Sequence, residues 1–304
     1  MPAFLIRAVV LLGLSCTLIS CAPRQAAPPQ ITADNARYGN TLVHFVEGGR
    51  GAPPLVMVHG WGGDHGFWQG QLEPLASSHR VLAVDLPGHG LSGWPDVRYT
   101  QPFFADGVVA VMDHASVDRG VLVGHSMGAS VVRQVALRHP DRAAGLIIVD
   151  GALFDPPKER EALITWQLQM AGFVDNFRGP SGEVFTWEFL DSLHTKETSE
   201  EVRTKVRETV LGTSRLVRVS AMEEFVDPAV WRGGPVTVPT LAVYAVSPDL
   251  PPDFETTLRG MFSDLEYHVW DGPGHFIMLE KPDALNRLVL DWLERQDLLR
   301  TEQP

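Results

Sequence analysis

The sequence predicts an α/β fold: a mostly parallel central sheet flanked by helices, with a helical lid inserted before the last strands. Three observations predict it. Short, continuous apolar runs such as 55–58 and 146–149 recur along the chain, as strands buried on both faces do. Helical patterns separate these runs from mid-chain onward, which implies crossover connections and parallel pairing. One long interval, residues 151–235, carries helical periodicity without any buried-strand run.

Taken in order, residues 41–46 alternate and stop at Gly48-Gly49. Residues 55–58 lie between Pro53-Pro54 and Gly60, which punctuate a short strand. Further strands are expected over 81–84, 121–123, 146–149, 241–245 and 266–270. Helices are expected over 67–76, 103–115, 129–138, 253–262 and 282–294. In the insertion the helical stretches are 159–170, 186–193, 199–211 and 215–225. Their aromatic and methionine residues, Trp166, Met170, Phe173, Phe177, Met222 and Phe225 among them, form the lid's own core. A few of them face a ligand at the strand ends, where open α/β sheets bind. The division is therefore a core of 40–150 and 236–299, a lid of 151–235, and two N-terminal segments.

Those two segments differ from the rest. Arg7 is the only charge in the first twenty residues, and the apolar stretch over 8–19 is too short to span a bilayer comfortably. It ends Leu18-Ile19-Ser20-Cys21, which resembles a bacterial lipobox. The resemblance implies a signal peptide over 1–21, a lipid on Cys21 and attachment to a membrane of the cell envelope. With Ala22 next, it favours the outer membrane. Cys16 and Cys21 are the only cysteines, so no disulfide is expected in the folded part. Residues 22–39, opening Ala-Pro-Arg-Gln-Ala-Ala-Pro-Pro-Gln, read as an extended tether.

The chain of 304 residues carries a formal net charge of −12. Such a surface repels phosphate backbones and excludes nucleic acid as a partner. A charged fraction of 20% and a hydrophobic fraction of 44% are those of an ordinary globular domain with a sizeable core.

The most informative residues are Gly124-His125-Ser126-Met127-Gly128, a G-x-S-x-G motif between an apolar run and a helical pattern. A strand, a sharp turn and a helix make the context in which a serine oxygen is exposed as a nucleophile. His125 is expected to pack away from Ser126. With three other motifs in the same order, the chain resembles the α/β-hydrolase family over about residues 41–299. His59-Gly60-Trp61-Gly62 follows the 55–58 strand, and Asp85-Leu86-Pro87-Gly88-His89-Gly90 follows the 81–84 strand. Asp271-Gly272-Pro273-Gly274-His275-Phe276 follows the last strand.

What the resemblance implies is specific. Ser126 is the nucleophile and His275 the base. The backbone N–H groups of Trp61 and Met127 form the oxyanion hole. The acid is Asp249, after the 241–245 strand, with Asp150, after the 146–149 strand, as the alternative. Asp85 and His89 belong to a structural turn, while Asp271 and Asp227 are poorly placed to orient His275. A metal site at His59, Asp64 and His65 is rejected because no third nitrogen ligand is suitably spaced. A serine nucleophile also disfavours the relatives that attack through a carboxylate. The expected activity is that of a serine hydrolase, a carboxylesterase on small or medium acyl substrates, with no cofactor. A lactonase, a C–C bond hydrolase, a peroxidase-like relative and a non-catalytic binding lipoprotein are the alternatives.

Overall fold

The computed structural model describes residues 29–247 and 250–298. One eight-stranded sheet, ordered β1-β2-β4-β3-β5-β6-β7-β8, runs through the molecule. Strands β1 (Ile31–Tyr38) and β2 (Thr41–Gly48) form an antiparallel hairpin at one edge. From β3 (Leu55–Val58) and β4 (Val81–Val84) onward the pairing is parallel, through β5 (Gly120–His125), β6 (Ala143–Val149), β7 (Thr240–Ala245) and β8 (Leu265–Trp270). Every residue of β3, β4, β5 and β7 is buried, which is why these strands read as apolar runs rather than alternations.

Strand β1 departs from the expected tether. Of its eight residues only Ala36 is buried, so side-chain pattern carries almost no signal. Backbone pairing with β2, register Ile31 to Gly48 through Tyr38 to Thr41, holds it in place.

The crossovers supply the helices. They are α1 (Gln69–Ala76), α2 (Gln101–His114) and α3 (Met127–Arg138), then α4 (Arg160–Arg178), α5 (Gly182–Ser192), α6 (Glu200–Gly212) and α7 (Arg215–Glu223) of the insertion, and finally α8 (Phe254–Met261), α9 (Ile277–Glu280) and α10 (Pro282–Arg295). Thr100 caps α2 by accepting the Phe103 N–H, and Ser199 caps α6 through the Val202 N–H. Helix α4 runs eight residues past its expected end, through Gly172, because its far half packs Val174 and Phe177 into the core. Among the described residues no helix is long and apolar enough to cross a membrane. Residues 1–21, with Cys21, lie outside the described residues.

The consequence for the site is topological. The C-terminal ends of β3, β5, β6 and β8 open on one edge of the sheet, and the loops leaving them carry Trp61, Ser126, Asp150 and His275.

Candidate active site

Ser126 stands between β5 and α3 with φ 51° and ψ −120°. A non-glycine residue in that region is strained, and surrounding structure must hold it there. Here its N–H donates to Val149 O at 3.1 Å, and its carbonyl accepts from Ala129 and Ala152, both at 3.0 Å. The flanking glycines are required by space. A Cβ on Gly124 would lie 2.4 Å from Gly128 O, and one on Gly128 would lie 2.3 Å from Val58 O.

His275 follows β8. Its backbone N–H donates to Leu193 O at 3.0 Å, and its ring Nδ1 lies 2.5 Å from Asp150 Oδ2. Asp150 is itself fixed by two hydrogen bonds in a strained backbone conformation. Its N–H donates to Val243 O, its Oδ1 accepts the Ala245 N–H at 2.7 Å, and its φ is +44°. The partner of His275 is therefore the residue after β6. Asp249, expected in that role, lies outside the described residues. The choice between the two is hard to read from sequence because β6 and β7 are adjacent strands. A carboxylate at the end of either can reach toward the same histidine.

Behind this pair sits His125, buried as expected. Its Nε2 lies 3.0 Å from His275 O. A carbonyl only accepts, so this nitrogen carries the proton. Burial first, and then the neighbouring His275, push the His125 ring well below its usual pKa. A neutral His125 thus anchors the backbone of the His275 loop.

Trp61 is nearly buried. Its indole N–H donates to Arg218 O at 2.7 Å, and its ring meets Phe177 edge-on at 5.2 Å. Every nitrogen of the Arg218 guanidinium in turn has a partner: Nε donates to Thr213 O, Nη1 to Thr186 Oγ1, and Nη2 to both carboxylate oxygens of Glu183. The insertion is thereby tied to the loop after β3. Met127 opens α3, where a backbone N–H has no intrahelical acceptor. Nothing in the sequence singled out Arg218, because a lone arginine in an amphipathic helix reads as a solvated residue.

Ser126, His275, Trp61 and Met127 line one cavity of about 350 Å³. The insertion supplies most of the remaining wall, through Met170, Phe173, Phe189, Met222 and Phe225, with Phe154 from the chain that enters it. Among the described residues, no lysine, arginine or carboxylate side chain lines this cavity.

The turn after β4 is a hydrogen-bonded hub. Asp85 Oδ1 accepts from the His65 N–H and ring Nδ1, and Oδ2 from His44 Nδ1 and the Leu91 N–H. Burial alone would raise its pKa, but these donors outweigh it and hold the carboxyl well below the usual carboxylate range. His44, His65 and Asp85 bring ligand atoms within 4.8 Å of one another, and they are spent on each other. His89, behind them, is lowered to about 3 by burial and by His59.

A profile of the alpha/beta hydrolase fold matches residues 53–234. The chain belongs to the alpha/beta hydrolase family. Several relatives in this family match only locally. The dihydrolipoyllysine-residue acetyltransferase component of the acetoin cleaving system of Pseudomonas putida is 41% identical over 118 residues, 38% of this chain and 32% of that one. The chain spans about a third of the length of the first curated relatives it matches. A longer match is to the 2-hydroxy-6-oxo-6-(2'-aminophenyl)hexa-2,4-dienoic acid hydrolase of Metapseudomonas resinovorans, 26% identical over 85% of this chain and 89% of that one. Among solved structures, a thermophilic esterase from Thermogutta terrifontis superposes with a TM-score of 0.72 at 23% identity, over 88% of this chain and 99% of that one. At that identity the likeness speaks for the shared alpha/beta hydrolase fold alone.

Proposed function

We propose that this alpha/beta hydrolase is a serine hydrolase that cleaves a carboxylic ester through an acyl-enzyme. Its acyl group is neutral and apolar. The observation that carries this reading is that Ser126, on its strained turn, shares a cavity with His275, whose Nδ1 is held by Asp150.

In this reading Ser126 Oγ attacks the ester carbonyl while His275 Nε2 takes its proton. The Nδ1–H of His275 donates to Asp150 Oδ2, which fixes the tautomer and stabilises the imidazolium. The N–H groups of Trp61 and Met127 receive the charge that develops on the carbonyl oxygen, and each such donor contributes about 3–4 kcal/mol. Collapse breaks the bond to the alcohol, which leaves with the proton from His275. Water then repeats the sequence on the acyl-enzyme and returns Ser126 to its hydroxyl form.

The apolar wall supports the substrate class. A carboxylate such as that of the dienoic acid named for the Metapseudomonas relative would be buried here without a cationic partner, which is costly. We further propose, from the Leu18-Ile19-Ser20-Cys21 pattern, that Cys21 carries a lipid and anchors the protein at the cell envelope.

The test is turnover of a p-nitrophenyl ester series by wild type and Ser126→Ala. Saturable turnover by wild type alone is the expected result. Turnover retained in Ser126→Ala, or absent from wild type across C2 to C16, overturns the reading.

A further inference from the structure

Among the described residues, two buried arginines are treated oppositely. Arg218, 2% exposed, has its guanidinium taken by the three partners named above. Arg133, 3% exposed, has none: no ion pair or hydrogen bond reaches it among the described residues, and its Nε is buried and unpaired. Burial of an uncompensated guanidinium is expensive, and natural structures pair such groups. Its burial lowers its pKa with nothing opposing the shift.

Arg133 projects from α3 into a second cavity, of about 470 Å³, separate from that of Ser126. Lys158 and Arg232, both exposed, line it too, as does Asp155. Among the described lining residues, three cations against one carboxylate leave a surplus of two positive charges, on a chain whose formal net charge is −12. Leu163, Trp231 and Met261 add apolar wall.

We propose that this cavity is a phosphate site that takes free phosphate or a small phosphate monoester, with Arg133 as its buried anchor. A phosphate dianion matches the surplus charge. Its oxygens suit a planar guanidinium fork together with two flexible cations. The apolar wall would accommodate the organic part of an ester.

The position gives the site a consequence. Residues 155–158 lead the chain out of the core into the insertion, and residues 228–233 lead it back. Gln134, beside Arg133 on α3, donates to Val230 O at 2.8 Å. Trp231 meets Phe154 edge-on at 5.0 Å and stacks on Phe225 at 5.5 Å, and both phenylalanines line the Ser126 cavity. An anion on Arg133, Lys158 and Arg232 therefore ties both connections of the insertion to the helix that begins beside Ser126.

The experiment is calorimetric titration of the purified full chain with inorganic phosphate and with glycerol 3-phosphate, at constant ionic strength, with acetate as the comparison anion. Hydrogen exchange is followed over residues 155–163 and 228–233. One phosphate per chain is expected, with slowed exchange in both segments. Arg133→Gln should abolish binding, and the exposed Arg232→Ala should weaken it by about tenfold. Tighter binding of glycerol 3-phosphate identifies an ester as the ligand, and equal binding identifies free phosphate. Arg232→Ala keeps the test decisive if Arg133→Gln does not fold. The proposal is overturned if wild type binds no phosphate at millimolar concentration, if acetate binds as tightly, or if binding is unchanged in the variants that fold.

Discussion

Asp150 Oδ2 and His275 Nδ1 meet at 2.5 Å although 125 residues separate them in the chain. The contact joins the end of β6 to the loop after β8, across the end of β7, which lies between them in the sheet. Ala245, the last residue of β7, donates its N–H to the other oxygen of the same carboxylate. Asp150→Asn should therefore lower kcat by about 10⁴, as loss of the acid does in other serine triads, with much smaller effects on KM. Asp249→Asn should leave kcat within a few-fold of wild type. Steady-state kinetics of both variants on one ester decide the matter, and the reverse ranking would return the role to Asp249.

The cavity wall sets a second expectation. Each methylene moved from water into an apolar site contributes roughly 0.8 kcal/mol, about fourfold in kcat/KM. Rates on p-nitrophenyl esters should climb from acetate toward medium-chain acyl groups and then level off as the cavity of about 350 Å³ fills. An ester whose acyl chain ends in a carboxylate should be turned over far more slowly than its methyl-terminated counterpart. A flat chain-length profile, or preference for the anionic acyl chain, would contradict the proposed substrate class.

Both motif glycines are constrained by backbone rather than by a flexible side chain. A Cβ at position 128 would stand 2.3 Å from Val58 O, and one at position 124 would stand 2.4 Å from Gly128 O. Gly128→Ala should cost more than about 2 kcal/mol, above the middle of the range for overpacked sites. The measurement is the urea midpoint at unchanged m-value. A midpoint equal to wild type would mean that the turn is less tightly packed than described.

The hub at Asp85 makes a pH prediction. His65 is raised from its usual pKa, chiefly by its hydrogen bond to Asp85 and against some loss to burial. A raised folded-state pKa means that the stabilisation is fully present below the unfolded value of about 6.5 and is lost as pH rises through the folded value. The difference in unfolding free energy between wild type and His65→Ala should be largest in mildly acidic buffer and shrink toward alkaline pH. A difference that grows with pH would contradict the ion pair.

The sheet and the serine turn were legible because burial on both faces writes apolar runs into the sequence, and because the turn demands glycines at fixed offsets. Strand β1 was not, since backbone pairing with β2 holds it and five of its eight residues are exposed. The acid was open between Asp150 and Asp249 because neighbouring parallel strands end at the same edge, and nothing in the sequence says which carboxylate is pinned by Ala245. Arg218 and Arg133 show a related gap. Two arginines on amphipathic helices look alike in sequence, and only packing reveals that one is paired and the other unpaired.

The central claim is that Ser126 is made a nucleophile by His275. Its most direct test is peptide mapping by mass spectrometry after treatment of the full chain with a fluorophosphonate probe. One adduct is expected, on the peptide that contains Ser126, forming at least about 10³-fold more slowly in His275→Ala. An adduct on a different residue, or none under conditions that label other serine hydrolases, would contradict the account.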